Sequence, residues 1–259
     1  MTMLDPHLVL GAYASGVFPM ADSRDADSIF WVEPRQRAIL PLNRFRVSHS
    51  LRKTIAADRF RVTADAAFAQ VLRLCAERAE NRADTWINHA IERVFIELHR
   101  MGYAHSIECW RGDRLVGGLY GMALGRAFFG ESMVSRETDA SKVALAWLIA
   151  RLKYGRFTLL DCQFQTDHLA SLGAVEISRA DYLELLGSAL DELAGAGAGA
   201  AGVGVGAGAS ASTAASLADS SLASPDFFAL DAPDPSDPIA TVSGPVSGRA
   251  IVQLLVHTS

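Results

Sequence analysis

Apolar positions recur along the chain with two periods, and each period predicts a different kind of element. Residues 4–16 carry a helical pattern that Gly16 and the Phe18-Pro19 pair bring to an end. Ile29–Val32 predicts a short strand before Pro34, and Arg37–Leu40 another, stopped by Pro41. Ala64–Ala79 reads as an amphipathic helix with Ala67, Phe68, Val71, Leu74 and Cys75 on one side. Asn88 is placed to cap a second helix whose apolar face is Ile91, Val94, Phe95 and Leu98, with Gly102 at its C-terminal end. The period then falls to two. His105–Trp110, Arg114–Leu124 and Arg126–Glu131 alternate like strands, separated by turns at Gly112-Asp113 and Gly125, which predicts an antiparallel meander. Ser141–Leu152 predicts a helix, Phe157–Gln163 a buried strand, Thr166–Leu172 a short helix and Ala174–Ile177 a strand, and Ser178 caps a last helix through Leu193. The order from residue 105 is β-β-β-α-β-α-β-α. The run RAIVQLLVH, Arg249–His257, predicts a strand returning to the main sheet.

Between those last elements the pattern disappears. Leu193–Ala218 has no charge, but GAGAGAAGVGVGAGASAS consists of side chains too small to hold a span of about 20 apolar residues in a bilayer. It reads as a flexible low-complexity linker. Three cysteines without a CxxC pair argue against a disulfide framework, and MTMLDPHLVL lacks a basic leader, so the expectation is a cytoplasmic protein without a membrane segment.

The net charge of −5 discourages an RNA partner until it is mapped. From Asp181 onward there are nine acids and one base, a balance of −8, which leaves +3 on residues 1–180. Arg35–Arg61 holds eight bases against Asp58 alone. Such a stripe attracts phosphates even on an acidic chain, and Arg35, Arg37, Arg52, Lys53 and Arg59 are its candidate contacts. The seven histidines show no HxxxH or HExxH spacing, and no metal site is expected. Asp161 and Gln163 are two apart on a predicted strand, so alternation puts both on one face and turns Cys162 into the core.

Six stretches appear in one order: AYASGVFPMAD (12–22), FWVEPRQRAILP (30–41), TWI (85–87), GYAHSIECWRGDRLVGGLYG (102–121), FFGESMVSRETDASKVAL (128–145) and LDCQFQTDHLASLGAVEISRADYL (160–183). Together they resemble the leucyl/phenylalanyl-tRNA–protein transferase family, over residues 9–185 with few gaps. The resemblance implies an α+β fold: an acetyltransferase-like (GNAT) mixed sheet flanked by helices, with a small N-terminal domain. That divides the chain into residues 1–37, a transferase domain 38–192, a linker 193–245 and a C-terminal strand 246–259. It implies a monomer that needs no cofactor. The donor it implies is an aminoacyl-tRNA carrying Leu, Phe or Met, and the acceptor a protein beginning with Arg or Lys. The product is thereby marked for degradation. The reaction is aminolysis of an ester that is already activated, so positioning can supply roughly 7–11 kcal/mol of the barrier.

The resemblance also implies site residues. The Asp161–Gln163 element becomes the reacting centre, with Gln163 offering its carbonyl oxygen to the amine and Asp161 orienting it or holding the acceptor. Glu131, at the end of the third strand, contacts an amino group, with Ser132 beside it. Trp86 covers the terminal adenosine, Met20 stands where many members carry tryptophan, and Leu119 and Leu148 line the pocket for the amino-acid side chain. An acyl-CoA-dependent acetyltransferase on the same fold is the main rival, but its Gly-rich phosphate loop is missing from Ser132–Ala140. A non-catalytic RNA-binding module is the second rival, and it leaves the polar cluster unexplained.

Overall fold

A computed structural model describes residues 4–77, 85–197, 225–232 and 246–256, with side chains of 191–197 excluded. Among the described residues, nine strands are arranged in two sheets. β1 (Phe18–Met20) and β2 (Phe30–Val32) form a small antiparallel pair, in which Met20 lies opposite Phe30. The other seven are β3 (Gln36–Ile39), β4 (Arg61–Ala64), β5 (Ala104–Arg111), β6 (Arg114–Leu124), β7 (Ala127–Ser135), β8 (Leu159–Gln163) and β9 (Val175–Ser178). Their order is β4-β5-β6-β7-β8-β3-β9. β7 and β8 are parallel and every other neighbour is antiparallel.

Helices cover both faces. Side chains alternate along the central strands, so Phe128 and Leu160 enter one core while Phe129 and Leu159 enter the other. The first core packs against α2 (His49–Ala56), α5 (Ala140–Tyr154), α6 (Asp167–Ser171) and α8 (Gly248–Val256). The second packs against α1 (Pro6–Ala14), α3 (Phe68–Ala76), α4 (His89–Arg100) and α7 (Arg179–Gly197). α5 is buried from Val143 to Leu152 and apolar there apart from Arg151, as a helix enclosed by sheet and neighbouring helices must be. α4 is amphipathic, and Asn88 accepts the N–H groups of Ala90 and Ile91 at 3.1 and 3.0 Å. The meander turns at Gly112 (φ 58°) and Gly125 (φ 54°), conformations in which a Cβ is strained.

Several elements differ from the pattern reading. The stretch Ala64–Ala79 holds the end of a strand, β4, and a helix that starts only at Phe68. The basic stripe contains a helix, α2, that the apolar pattern does not predict. The third meander strand continues past Glu131 to Ser135. The returning C-terminal segment is a helix and not a strand. Ile251, Leu254 and Leu255 recur at helical spacing and pack on the α2/α5 face, while Gly248 N–H donates to Asp58 Oδ1 at 2.7 Å. The predicted linker is also not uniform. Most of 193–245 lies outside the described residues, but 225–232 is docked: Phe227 is buried against His105 (rings stacked, 4.2 Å), and Asp231 takes both Nη atoms of Arg151 at 2.6 and 2.7 Å. Among the described residues no helix is long and apolar enough to cross a membrane.

Candidate active site

The parallel strands β7 and β8 pair only from Ala127–Phe129 to Leu159–Asp161. Beyond that point they part, and a cavity of about 310 Å³ opens between them. Leu119, Leu145, Leu148, Leu160 and Leu169 make its apolar floor. Glu131 and Ser132 on β7 and Cys162 and Gln163 on β8 form its walls. Phe18, Met20, Trp86, Phe164, Thr166 and His168 also line it. Ala21 N–H donates to the Trp86 carbonyl at 3.1 Å, which ties the Met20 and Trp86 segments together. Phe18 meets Phe164 edge-on with centroids 5.7 Å apart.

Glu131 reaches the cavity because it is an extra residue in β7. Pairing jumps from Tyr120–Ser132 to Gly121–Gly130, leaving Glu131 unmatched. Such a bulge re-aims one side chain without ending the strand. Gly121 permits it, since a Cβ there would run into the Phe129 carbonyl and the Phe128 ring. Burial pushes the Glu131 carboxyl up to about 8; the Asp161 charge adds to the rise, while Tyr13 and Arg37 oppose it. Gln163 Nε2 donates to Glu131 Oε1 at 3.0 Å.

Asp161 and Gln163 do not share a face, contrary to the alternation argument. Leu160 and Cys162 turn to the cavity, and Asp161 turns to the opposite core. Alternation holds only for extended backbone, and Gln163 leaves it: its φ is +56°, which swings the amide back into the cavity. Asp161 is 0% exposed, and its carboxylate is engaged by protein donors. Arg37 Nε lies 2.9 and 3.1 Å from its two oxygens and Nη2 at 2.6 Å, Tyr182 Oη donates at 2.9 Å, and the N–H of Gln163 donates at 2.8 Å. Asp161 therefore does not hold an acceptor's cationic group. Cys162, expected in the core, lines the cavity, but burial raises its thiol far above the ordinary value and it stays protonated.

Arg37 is a second correction. It is 1% exposed, so it does not meet phosphate on the surface. Its guanidinium lies 4.6 Å from the ring centroids of both Phe18 and Tyr182, and Nη1 donates to the Gly16 carbonyl at 3.2 Å. Arg35, Arg52, Lys53 and Arg59 remain exposed. Arg52 and Lys53 project from α2, whose Leu51 and Ile55 face the core. The structure brings Glu131, Ser132, Gln163, Trp86, Met20, Leu119 and Leu148 to one cavity. Pattern reading does not single out Met133, Leu145, Leu160, Phe164 and Leu169, because apolar periodicity does not distinguish a cavity wall from core.

Two family models match consecutive parts of the chain: the leucyl/phenylalanyl-tRNA protein transferase N-terminal domain over residues 2–35, and leucyl/phenylalanyl-tRNA protein transferase over residues 39–187. The chain belongs to the leucyl/phenylalanyl-tRNA protein transferase family. It is accordingly an aminoacyltransferase. A transferase of that name from Rhizorhabdus wittichii is 62% identical over 259 residues, covering 100% of both chains. One from Zymomonas mobilis is 63% identical over 188 residues, 73% of this chain and 70% of the other. One from Paramagnetospirillum magneticum is 57% identical over 194 residues, 75% of this chain and 93% of the other. Among solved structures, L-PGS from Bacillus licheniformis overlaps 60% of this chain and 51% of its own at 14% identity, with a TM-score of 0.34, too loose a likeness to carry a fold argument.

Proposed function

We propose that the cavity takes the aminoacyl end of leucyl-, phenylalanyl- or methionyl-tRNA, and that the N-terminal amine of an Arg- or Lys-initiated protein attacks the ester beside Gln163 and Glu131. The observation that carries this reading is an apolar pocket walled at one side by a hydrogen-bonded Gln163–Glu131 pair. The donor's side chain occupies the leucine-lined floor. Because Nε2 of Gln163 is taken by Glu131, Oε1 is left to accept from the incoming amine. With its carboxyl held near 8, Glu131 is ionised in a minority of molecules at neutral pH, and it is this form that receives the proton the amine loses as its nitrogen bonds to the carbonyl carbon. That proton passes to the ribose oxygen as the ester C–O bond breaks. Ser132 lies at the same wall and supplies a further polar contact. Trp86 and Met20 cover the terminal adenosine, where stacking on an aromatic ring contributes about 1–3 kcal/mol per base. Single-turnover transfer of labelled phenylalanine from tRNA to an arginine-initiated peptide tests the reading. Gln163→Ala and Glu131→Gln should each slow it by ~100-fold or more, and full-rate transfer by both variants would refute it.

The crossover from β7 through α5 to a parallel β8 that then splays supports an acetyltransferase-like class for the sheet. The separate β1–β2 pair supports a small N-terminal unit, but Gln36 and Arg37 of the expected domain 1–37 belong to β3 of the main sheet. In this reading the protein is a monomer that acts in the cytoplasm and marks its acceptors for degradation. Arg35, Arg52, Lys53 and Arg59 form the surface for tRNA phosphates. Tripling the salt concentration should weaken tRNA binding steeply. Replacing Arg52, Lys53 and Arg59 by alanine should reduce the logarithmic salt slope by about 0.7–0.9 for each phosphate that is no longer neutralised. An unchanged slope would remove the stripe from the tRNA interface.

A further inference from the structure

We infer that Arg37 is a positioning residue of this reaction: through Asp161 it holds Gln163 in its left-handed conformation. This rests on the reading of Gln163 given above. A glutamine with φ of +56° has no intrinsic preference for that state, so something must hold it there. The holder is Asp161, whose Oδ1 accepts the Gln163 N–H at 2.8 Å. Asp161 is aimed in turn by the Arg37 fork, with Nε and Nη2 both engaged, and by the Tyr182 hydroxyl. The same guanidinium stacks against Phe18, which lines the cavity, and its Nη1 anchors the Gly16 carbonyl just before that strand. One buried, planar group thus spans β3, the reacting strand, α7 and the N-terminal segment. Lysine retains the charge but cannot reproduce two donors in one plane or the stack on two rings.

A kinetic cycle tests this. Arg37→Lys is made in the parent and in Gln163→Ala, and single-turnover transfer from phenylalanyl-tRNA is measured with tRNA affinity and thermal melting. If Arg37 acts through the Gln163 amide, Arg37→Lys lowers the parent's rate by about 100-fold, the size of effect a ~1 Å misplacement produces. It leaves tRNA affinity within about threefold, since the groups that bind the donor stay in place. In the Gln163→Ala background the same substitution should change the rate by less than about threefold, because interacting residues are not additive. Equal losses in both backgrounds would overturn the proposal and leave Arg37 a structural residue, as would a normal rate for Arg37→Lys. A Gln163→Ala enzyme with the parent's rate would instead refute the role of Gln163 itself. Should Arg37→Lys not fold, Tyr182→Phe, which removes a single donor to Asp161, enters the same cycle and must show the same loss only when Gln163 is present.

Discussion

Two arginine–aspartate forks of nearly the same chemistry stand among the described residues. Arg37 grips Asp161 at the reacting strand, with side chains 1% and 0% exposed. Arg151 grips Asp231 in the docked segment after the linker, with side chains 6% and 42% exposed. Arg37 joins β3 to β8 within the sheet, whereas Arg151, near the end of α5, holds a short piece of chain against the outside of that helix. Each arginine also stacks on a phenylalanine, Phe18 in one case and Phe227 in the other. The comparison shows that a fork's influence depends less on its geometry than on what its acid does next. Asp161 passes the constraint to Gln163 by a further hydrogen bond. Asp231 ends the relay at a half-exposed carboxylate.

Removing each acid separates the two. Asp161→Ala strands a buried guanidinium, which should destabilise the fold by about 3–5 kcal/mol in urea denaturation and abolish transfer. Retained stability with lost transfer would show that the fork serves only the site. Glu131→Gln comes next and should give a pH-dependent effect. The folded-state carboxyl sits near 8, above its ordinary unfolded value of 4.5, so the native state keeps a proton the unfolded chain releases. Parent stability therefore falls as pH rises from about 4.5 to 8, and the variant, which carries no such group, should gain relative to it over that window, on the order of 3–5 kcal/mol. Parallel stability curves from pH 5 to 8.5 would contradict that environment for Glu131. Asp231→Ala should cost roughly 1–3 kcal/mol, because buried Arg151 loses its carboxylate but keeps the Phe227 carbonyl, and water can enter where the half-exposed Asp231 stood. Turnover should remain at the parent level; a matching loss of turnover would make the second fork a partner of the first. Cys162→Ala should do least, changing transfer less than about twofold, since a thiol kept protonated by burial is a poor nucleophile. A dead variant would demand a covalent mechanism.

Much of the fold is legible in the sequence wherever local rules decide it. The β5–β6–β7 meander follows from alternation punctuated by Gly112 and Gly125, and α4 from Asn88 and its apolar stripe. The α8 segment is ambiguous because nine residues with few charges satisfy both a strand and a helix. The surface left open by α2 and α5 decides between them. At the site, residue identities are legible and their orientations are not. Nothing in DCQ announces that backbone alternation stops at its third residue, and nothing in FGES announces a bulge. Arg37 belongs by sequence to a run of surface bases, and its partner lies 124 positions away. Burial of that kind is created by tertiary structure and leaves no local trace.

The two matching family models stop at residue 35 and start at residue 39, and β3 spans the whole gap between them. That strand is not a seam. It lies between β8 and β9 in the middle of the sheet's second half, hydrogen-bonded on both sides. A fragment cut at the second model's first residue would present two naked strand edges to other molecules, an invitation to edge-to-edge aggregation. The N-terminal segment is therefore a piece of the sheet's own closure, and a peptide ending beyond Leu40 is the shortest add-back with the parts to restore it.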